Sequence, residues 1–296
     1  AVTFAAGWVA FAAGMRFDLR VLRAVPVRVL AVALTPAVAA ALAVGLAGAG
    51  VLYLFHSGGA EAPAAALVLG AAACTSGPTL VAIARTRKAG QAPRAKPVLR
   101  MLELSAGFDD ILVVAFTIVG FSLFRSSPEP VAVVWFVGIA LAGGALLGGV
   151  IWLFLGGRAA EDERLLLGLA MVAFIAGFGG WLHVSPAGVA AVAAMTLVNL
   201  PGDRMAKLLL AVRRMERPAV VILMTVIGFH VAGTTTWLFL PLAGLLTLLR
   251  GLAKRYAGDA VAGVNPRAPG LEASPEWGLG LVSQGTLGLV VALSFF

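Results

Sequence analysis

Charge is what this chain most conspicuously has little of. Of its 296 residues only 12% are Asp, Glu, Lys or Arg, while 60% are hydrophobic. A soluble globular domain carries roughly 25% charge, so the expectation is a polytopic membrane protein. Cysteine is also scarce: Cys74 stands alone, which excludes a disulfide framework and any cysteine-based metal site. There is no P-loop, no metal-ligand spacing and no nucleophile with a base on a polar domain, so no soluble enzyme class fits. A secretory signal with a cleavage site is missing too. The sequence opens on Ala1 and stops at Phe296 within an apolar run, which reads as an internal piece of a longer protein.

What is there is a series of ten apolar segments, at about 1–15, 29–55, 64–84, 101–124, 131–157, 165–182, 184–200, 218–231, 234–249 and 278–296. Several fall short of the roughly 20 residues that cross a hydrocarbon core, which fits tilted, re-entrant or broken helices. Basic residues gather in alternate loops. The stretches 16–28, 85–100, 158–164, 204–217 and 250–267 hold 21 of the 22 Lys and Arg, leaving Arg125 on the other side. By the positive-inside rule these odd-numbered loops are cytoplasmic. The net charge of +8 is then a topology signal and does not indicate a nucleic-acid partner. Residues 204–217 read as a short amphipathic surface helix with Met205, Leu208, Leu209 and Val212 toward lipid. Residues 251–277 read as an irregular connection. The glycines at 143, 144, 148 and 149 suit close helix packing.

Within the run 101–124, Phe108-Asp109-Asp110 places two adjacent carboxylates roughly 13 Å into the membrane at about 1.5 Å rise per residue. An aspartate at that depth costs on the order of 2.5–3.5 kcal/mol, so the pair is by default a functional site. Neighbouring helical residues point about 100° apart and cannot share one ligand geometry. One is expected to face an ion cavity and the other to meet a dipole or cation from a neighbouring helix. Glu103 lies two turns before Asp110 on the same stripe. It reads as an interfacial carboxylate or as the lining of a cytoplasmic funnel.

A second signal is Cys74-Thr75-Ser76-Gly77-Pro78-Thr79, in the middle of the third apolar segment. Pro78 removes a backbone donor and clashes with the preceding turn, and Gly77 weakens it further. The expectation is an interrupted helix, against the simpler alternative of a proline kink. Its freed carbonyls and hydroxyls must face protein or a wet cavity, because lipid satisfies neither. Ser283-Gln284-Gly285-Thr286 is a parallel feature in the last segment. Two such interruptions in separate halves point to a midplane ion site. A carbonyl-lined site with a carboxylate binds a proton or a monovalent cation, not both, and alternating access then gives obligatory exchange. His183 and His230 read as interfacial or structural groups, and the tryptophans as interface anchors.

Four stretches together resemble the sodium/proton exchanger family, of the cation:proton antiporter superfamily, and more its bacterial second branch. They are Phe11-Ala12-Ala13-Gly14-Met15-Arg16-Phe17-Asp18-Leu19-Arg20, Thr75 to Pro78, Phe108-Asp109-Asp110, and His183-Val184-Ser185-Pro186-Ala187-Gly188 through Asn199-Leu200-Pro201. The resemblance implies an all-α antiporter fold with inverted repeats, about ten helices being present here, and two discontinuous helices crossing at the midplane. Of the thirteen helices that the resemblance implies, about two at the start and one at the end would lie beyond the chain. It implies a core bundle from 29–124 and 232–296, a linker helix at 131–157, and dimer-side scaffold helices from 1–28 and 165–231. It places the ion-binding carboxylate at Asp110, where a transported Na⁺ or K⁺ competes with protons, and its partner at Asp109. Thr75 and Ser76 fall on the crossing, with Gly77, Pro78, Gln284, Gly285 and Thr286 forming the breaks. A homodimer in the bacterial inner membrane is implied, with no cofactor and no enzymatic activity. The sequence departs from the pattern at Arg16, where the family has Glu, and at Gln284-Gly285-Thr286, in place of Arg-Gly-Glu. Residues 234–249 also lack the Lys that electrogenic relatives carry, and Arg250 matches that position poorly. The alternative function is a sodium-coupled solute symporter or a ligand-gated cation efflux channel of the same fold.

Overall fold

The computed structural model describes residues 2–55, 62–77, 95–125, 130–154, 161–201, 205–234, 239–262 and 277–294. All of the described secondary structure is helical: α1 (Val2–Gly14), α2 (Leu19–Ala24), α3 (Val27–Phe55), α4 (Ala62–Cys74), α5 (Ala95–Arg125), α6 (Pro130–Phe154), α7 (Glu161–Trp181), α8 (Pro186–Asn199), α9 (Met205–Thr234), α10 (Phe239–Ala262), a 3₁₀ turn (Trp277–Leu281) and α11 (Thr286–Ser294). Val27–Leu54, Lys96–Phe124 and Val131–Phe154 are long and apolar enough to cross a membrane. Five more apolar helical stretches are shorter, as in Pro63–Cys74 and Pro186–Asn199. This is the architecture of a helical membrane protein, and the composition is its cause. In a medium without water, backbone groups must be satisfied within the segment, and the α-helix does so.

The chain falls into two compact units. One comprises Ala1–Arg23, Val114–Thr234 and Leu289–Phe296. Its centre is α8, a run of small residues whose Ala187, Val189, Ala190, Ala191, Ala193, Ala194 and Leu197 are all buried. Ser185 starts this helix by accepting from the Gly188 amide, with Pro186 in the first turn, where its missing N–H costs nothing. Helices α1, α6 and α7 pack on it. Gly14 lies against the backbone of Ala191, and Gly148 against that of Ala193. Small residues thus let helix axes approach where a larger side chain would clash.

The other unit comprises Ala24–Val113 and Thr235–Gly288. Helices α3 and α4 pack closely, and α10 lies on α3. Ala40, Val44 and Ala73 form a small core that Leu69, Leu246 and Ala253 extend.

Three sequence-based expectations need correction. The first basic stretch contains the short helix α2. Residues 205–217 are not a separate surface helix: they are the first half of α9, which runs through Pro218 to Thr234. Val212 does not face lipid but is fully buried, and its carbonyl accepts from Trp8 Nε1 at 3.2 Å. Finally, residues 250–262 are not a loop. Helix α10 continues to Ala262, so Arg250 and Lys254 leave the tally of loop charges.

Candidate functional site

Helix α5 carries Asp109 and Asp110, 0% and 3% exposed. Each is fixed on a rigid element about 46 Å long at 1.5 Å per residue, so neither can swing to the surface. Helix α4 stops at Cys74, and Thr75, Ser76 and Gly77 continue without helical structure. A second non-helical stretch, 282–285, separates the 3₁₀ turn from α11.

These two unwound segments lie directly on one another. The Gly77 amide donates to the Ser283 carbonyl at 2.8 Å, and Ser283 Oγ donates back to the Gly77 carbonyl at 3.2 Å. A Cβ added at Gly285 would sit 2.8 Å from the Ser76 carbonyl oxygen. Glycine is therefore required there by close backbone approach. Thr75 Oγ1 donates to Ala72 O at 2.9 Å, closing the last turn of α4.

Ser76 joins this crossing to the carboxylates. Its hydroxyl donates to Asp109 Oδ2 and accepts from Lys254 Nζ at 2.7 Å. The ammonium spends its other two protons on the carbonyls of Cys74, at 2.8 Å, and Thr75, at 3.0 Å. Lys254 Nζ is also 3.6 Å from Asp109 Oδ2, a contact that is electrostatic because the protons are already placed. Asp109 Oδ1 and Ser105 Oγ, one helical turn apart, are the buried side-chain oxygens that lack a partner among the described residues.

Arg250, one turn before Lys254 on α10, reaches both segments. Its Nε donates to Ala73 O at 3.0 Å, Nη2 to Thr75 O at 2.5 Å and Ser283 O at 3.2 Å, and Nη1 to Val282 O at 2.5 Å. The last carbonyls of a helix lack intrahelical partners and form its negative end, so cations are favoured there. Burying two cations is tolerable only because Asp109 and this row of carbonyls compensate them.

The chain matches no protein-family model and no curated relative. The site is therefore read from its own chemistry.

Thr75, Ser76, Gly77, Asp109 and Gly285 are brought together around the crossing. Asp110 is buried beside them in sequence, on the next position of α5. Gln284 lies in the second break with its side chain exposed, and Thr286 opens α11. Glu103 is half-buried within α5. Pro78 and Thr79 lie outside the described residues, as does the side chain of His230. His183 is exposed in a turn, with a positive φ of 57°.

In the expected carbonyl-lined site, several of the oxygens are shared with the protein's own cations: the carbonyls of Ala73, Cys74, Thr75, Val282 and Ser283 accept hydrogen bonds from Arg250 or Lys254. Sequence reasoning missed Lys254 entirely and set Arg250 aside. A signal was available. Arg250, Lys254 and Gly258 recur every fourth residue, one stripe of a helix. Gly258 continues that stripe against Gly278, and its carbonyl accepts from Trp277 Nε1 at 2.9 Å.

Proposed function

We propose that this chain is the transport body of a secondary active transporter that exchanges a monovalent cation, Na⁺ or K⁺, for protons by alternating access. The ten-span topology with cytoplasmic odd loops, the antiporter fold and a homodimer belong to the same proposal. The observation that carries it is that two non-helical stretches, 75–77 and 282–285, hydrogen-bond to one another and are joined through Ser76 to the buried Asp109 of an apolar helix. Carboxylates and broken backbone are expensive in lipid, and their convergence is the arrangement expected of an ion pathway.

In this reading the two carboxylates divide the work. Asp109 is engaged by Ser76 and faced by Lys254, so it is the carboxylate with a resident counter-charge. Asp110, on the adjacent face of α5, is the group at which proton and cation compete. With the crossing carbonyls occupied, the transported ion is held mainly by carboxylate and hydroxyl oxygens. Protonating the carboxylate removes the charge that holds the cation, and cation binding expels the proton. That mutual exclusion is what couples the two flows.

The test is cation-driven proton flux in proteoliposomes containing the intact protein. An inward Na⁺ or K⁺ gradient is expected to alkalinise the lumen, and Asp110→Asn to abolish the response. Flux persisting in Asp110→Asn would remove that residue from the mechanism. Solute uptake without proton movement would favour a sodium-coupled symporter instead.

A further inference from the structure

Lys254 and Arg250 are both buried on one face of α10, yet their hydrogen bonds divide the work unequally. All three Lys254 protons go to the end of α4 and the unwound segment after it, at Cys74, Thr75 and Ser76. Arg250 divides its donors between that region and the second unwound segment, with Ala73 and Thr75 on one side and Val282 and Ser283 on the other. A guanidinium suits this because its five donors lie in a rigid planar fork, whereas an ammonium is a compact point of charge. It also remains charged at every accessible pH. Arg250 is 6% exposed, and its hydrogen bonds among the described residues go to backbone carbonyls. Simple capping of α4 would need no donor aimed at residues 282–283.

We propose that Arg250 is a positioning residue, a permanently charged clamp that binds the two unwound segments into one body and thereby fixes Ser76 against Asp109. The path is short. Arg250 holds the Thr75 carbonyl, Thr75 precedes Ser76, and the Ser76 hydroxyl donates to Asp109. On the opposite side Arg250 holds the Ser283 carbonyl, which also receives the Gly77 amide. Because the fork spans both segments, they move together when access changes, and the carboxylate keeps its hydroxyl partner throughout.

The inference rests on the exchange reading only in its transport arm, so two measurements are paired. Hydrogen–deuterium exchange on the intact protein reads the clamp without any transport. In Arg250→Lys and Arg250→Gln, amides at 75–77 and 282–288 should exchange about tenfold faster, with α1 and α8 unchanged, because charge-assisted bonds to both segments are lost together. In proteoliposomes, Arg250→Lys should raise the apparent KM for the driving cation about tenfold while leaving Vmax near the wild-type value. In Arg250→Ala, guanidinium at sub-denaturing concentration should lower that KM again and methylammonium should not. Should Arg250→Ala fail to fold, Arg250→Lys carries the test by itself. Wild-type exchange at both segments in Arg250→Lys overturns the clamp. Faster exchange with an unchanged KM overturns the positioning role. Absence of cation-driven flux in the wild type overturns the exchange reading alone, since the exchange of amides is scored without it.

Discussion

The two compact units of this chain are held together in opposite ways. In the unit centred on α8, packing is a matter of alanine and glycine brought to backbone distance, and the ion pair of Arg16 with Glu216, at 2.8 Å, keeps 25% and 20% of its side chains exposed. In the other unit Asp109, Asp110, Arg250 and Lys254 are buried and two stretches of backbone are left unwound. The first shows that small-residue packing suffices to join apolar helices. The second spends stability on buried charge and broken helices that an apolar replacement would avoid. Such expenditure is the physical ground for placing the proposed exchange in this unit.

Substitutions should separate the units by the size of their effects. The largest belongs to the charged unit. Lys254→Ala leaves Asp109 buried without its counter-charge, and should lower stability by about 3–5 kcal/mol, read as thermal unfolding in detergent. The double substitution Asp109→Leu with Lys254→Leu should recover part of that loss, because neither charge is then left unpaired. Full additivity of the two single losses would show that they do not interact.

Next comes the crossing. Gly285→Ala puts a methyl group 2.8 Å from the Ser76 oxygen and should cost about 1–3 kcal/mol, like other overpacked positions. Gly244→Ala, in α10 of the same unit, meets nothing within 4 Å and should instead gain about 0.5–1 kcal/mol from reduced backbone entropy. Equal effects from the two would deny that the segments touch.

The packed unit should respond less. Trp8→Phe removes the hydrogen bond to Val212 O and should cost about 1 kcal/mol. Smallest of all, Arg16→Gln should cost at most about 1 kcal/mol, the range for partly exposed pairs, and less as salt is added. A loss there as large as that from Lys254→Ala would erase the contrast between the units.

Much of this organisation was legible in the sequence. The apolar runs located most helices, and α4 ends at Cys74, just before the hydroxyls and Gly77. Asp109 and Asp110 stood out because lipid tolerates neither without a role. What escaped was the meaning of charge at the end of an apolar run. Hydropathy cannot tell a lysine solvated in a loop from one buried against carbonyls, so Arg250 and Lys254 were counted as cytoplasmic loop charges. The apolar segment placed at 218–231 begins at Pro218, which lies inside α9. Proline inside a helix costs about 3 kcal/mol in isolation, which reads as a boundary, yet α9 passes through it. Nor does any local pattern reveal that Asp109, rather than Asp110, meets Ser76 and Lys254, since that depends on the register of α5 against α4 and α10.

The most direct measurement is of cation binding at equilibrium with the released protons counted, by calorimetry of the intact protein in buffers of different ionisation enthalpy. Proton and cation competing for one carboxylate predict proton release on binding, and an apparent Kd that weakens about tenfold per pH unit on the acid side, with both effects lost in Asp110→Asn. Cation binding of constant affinity across pH, with no proton released, would contradict it.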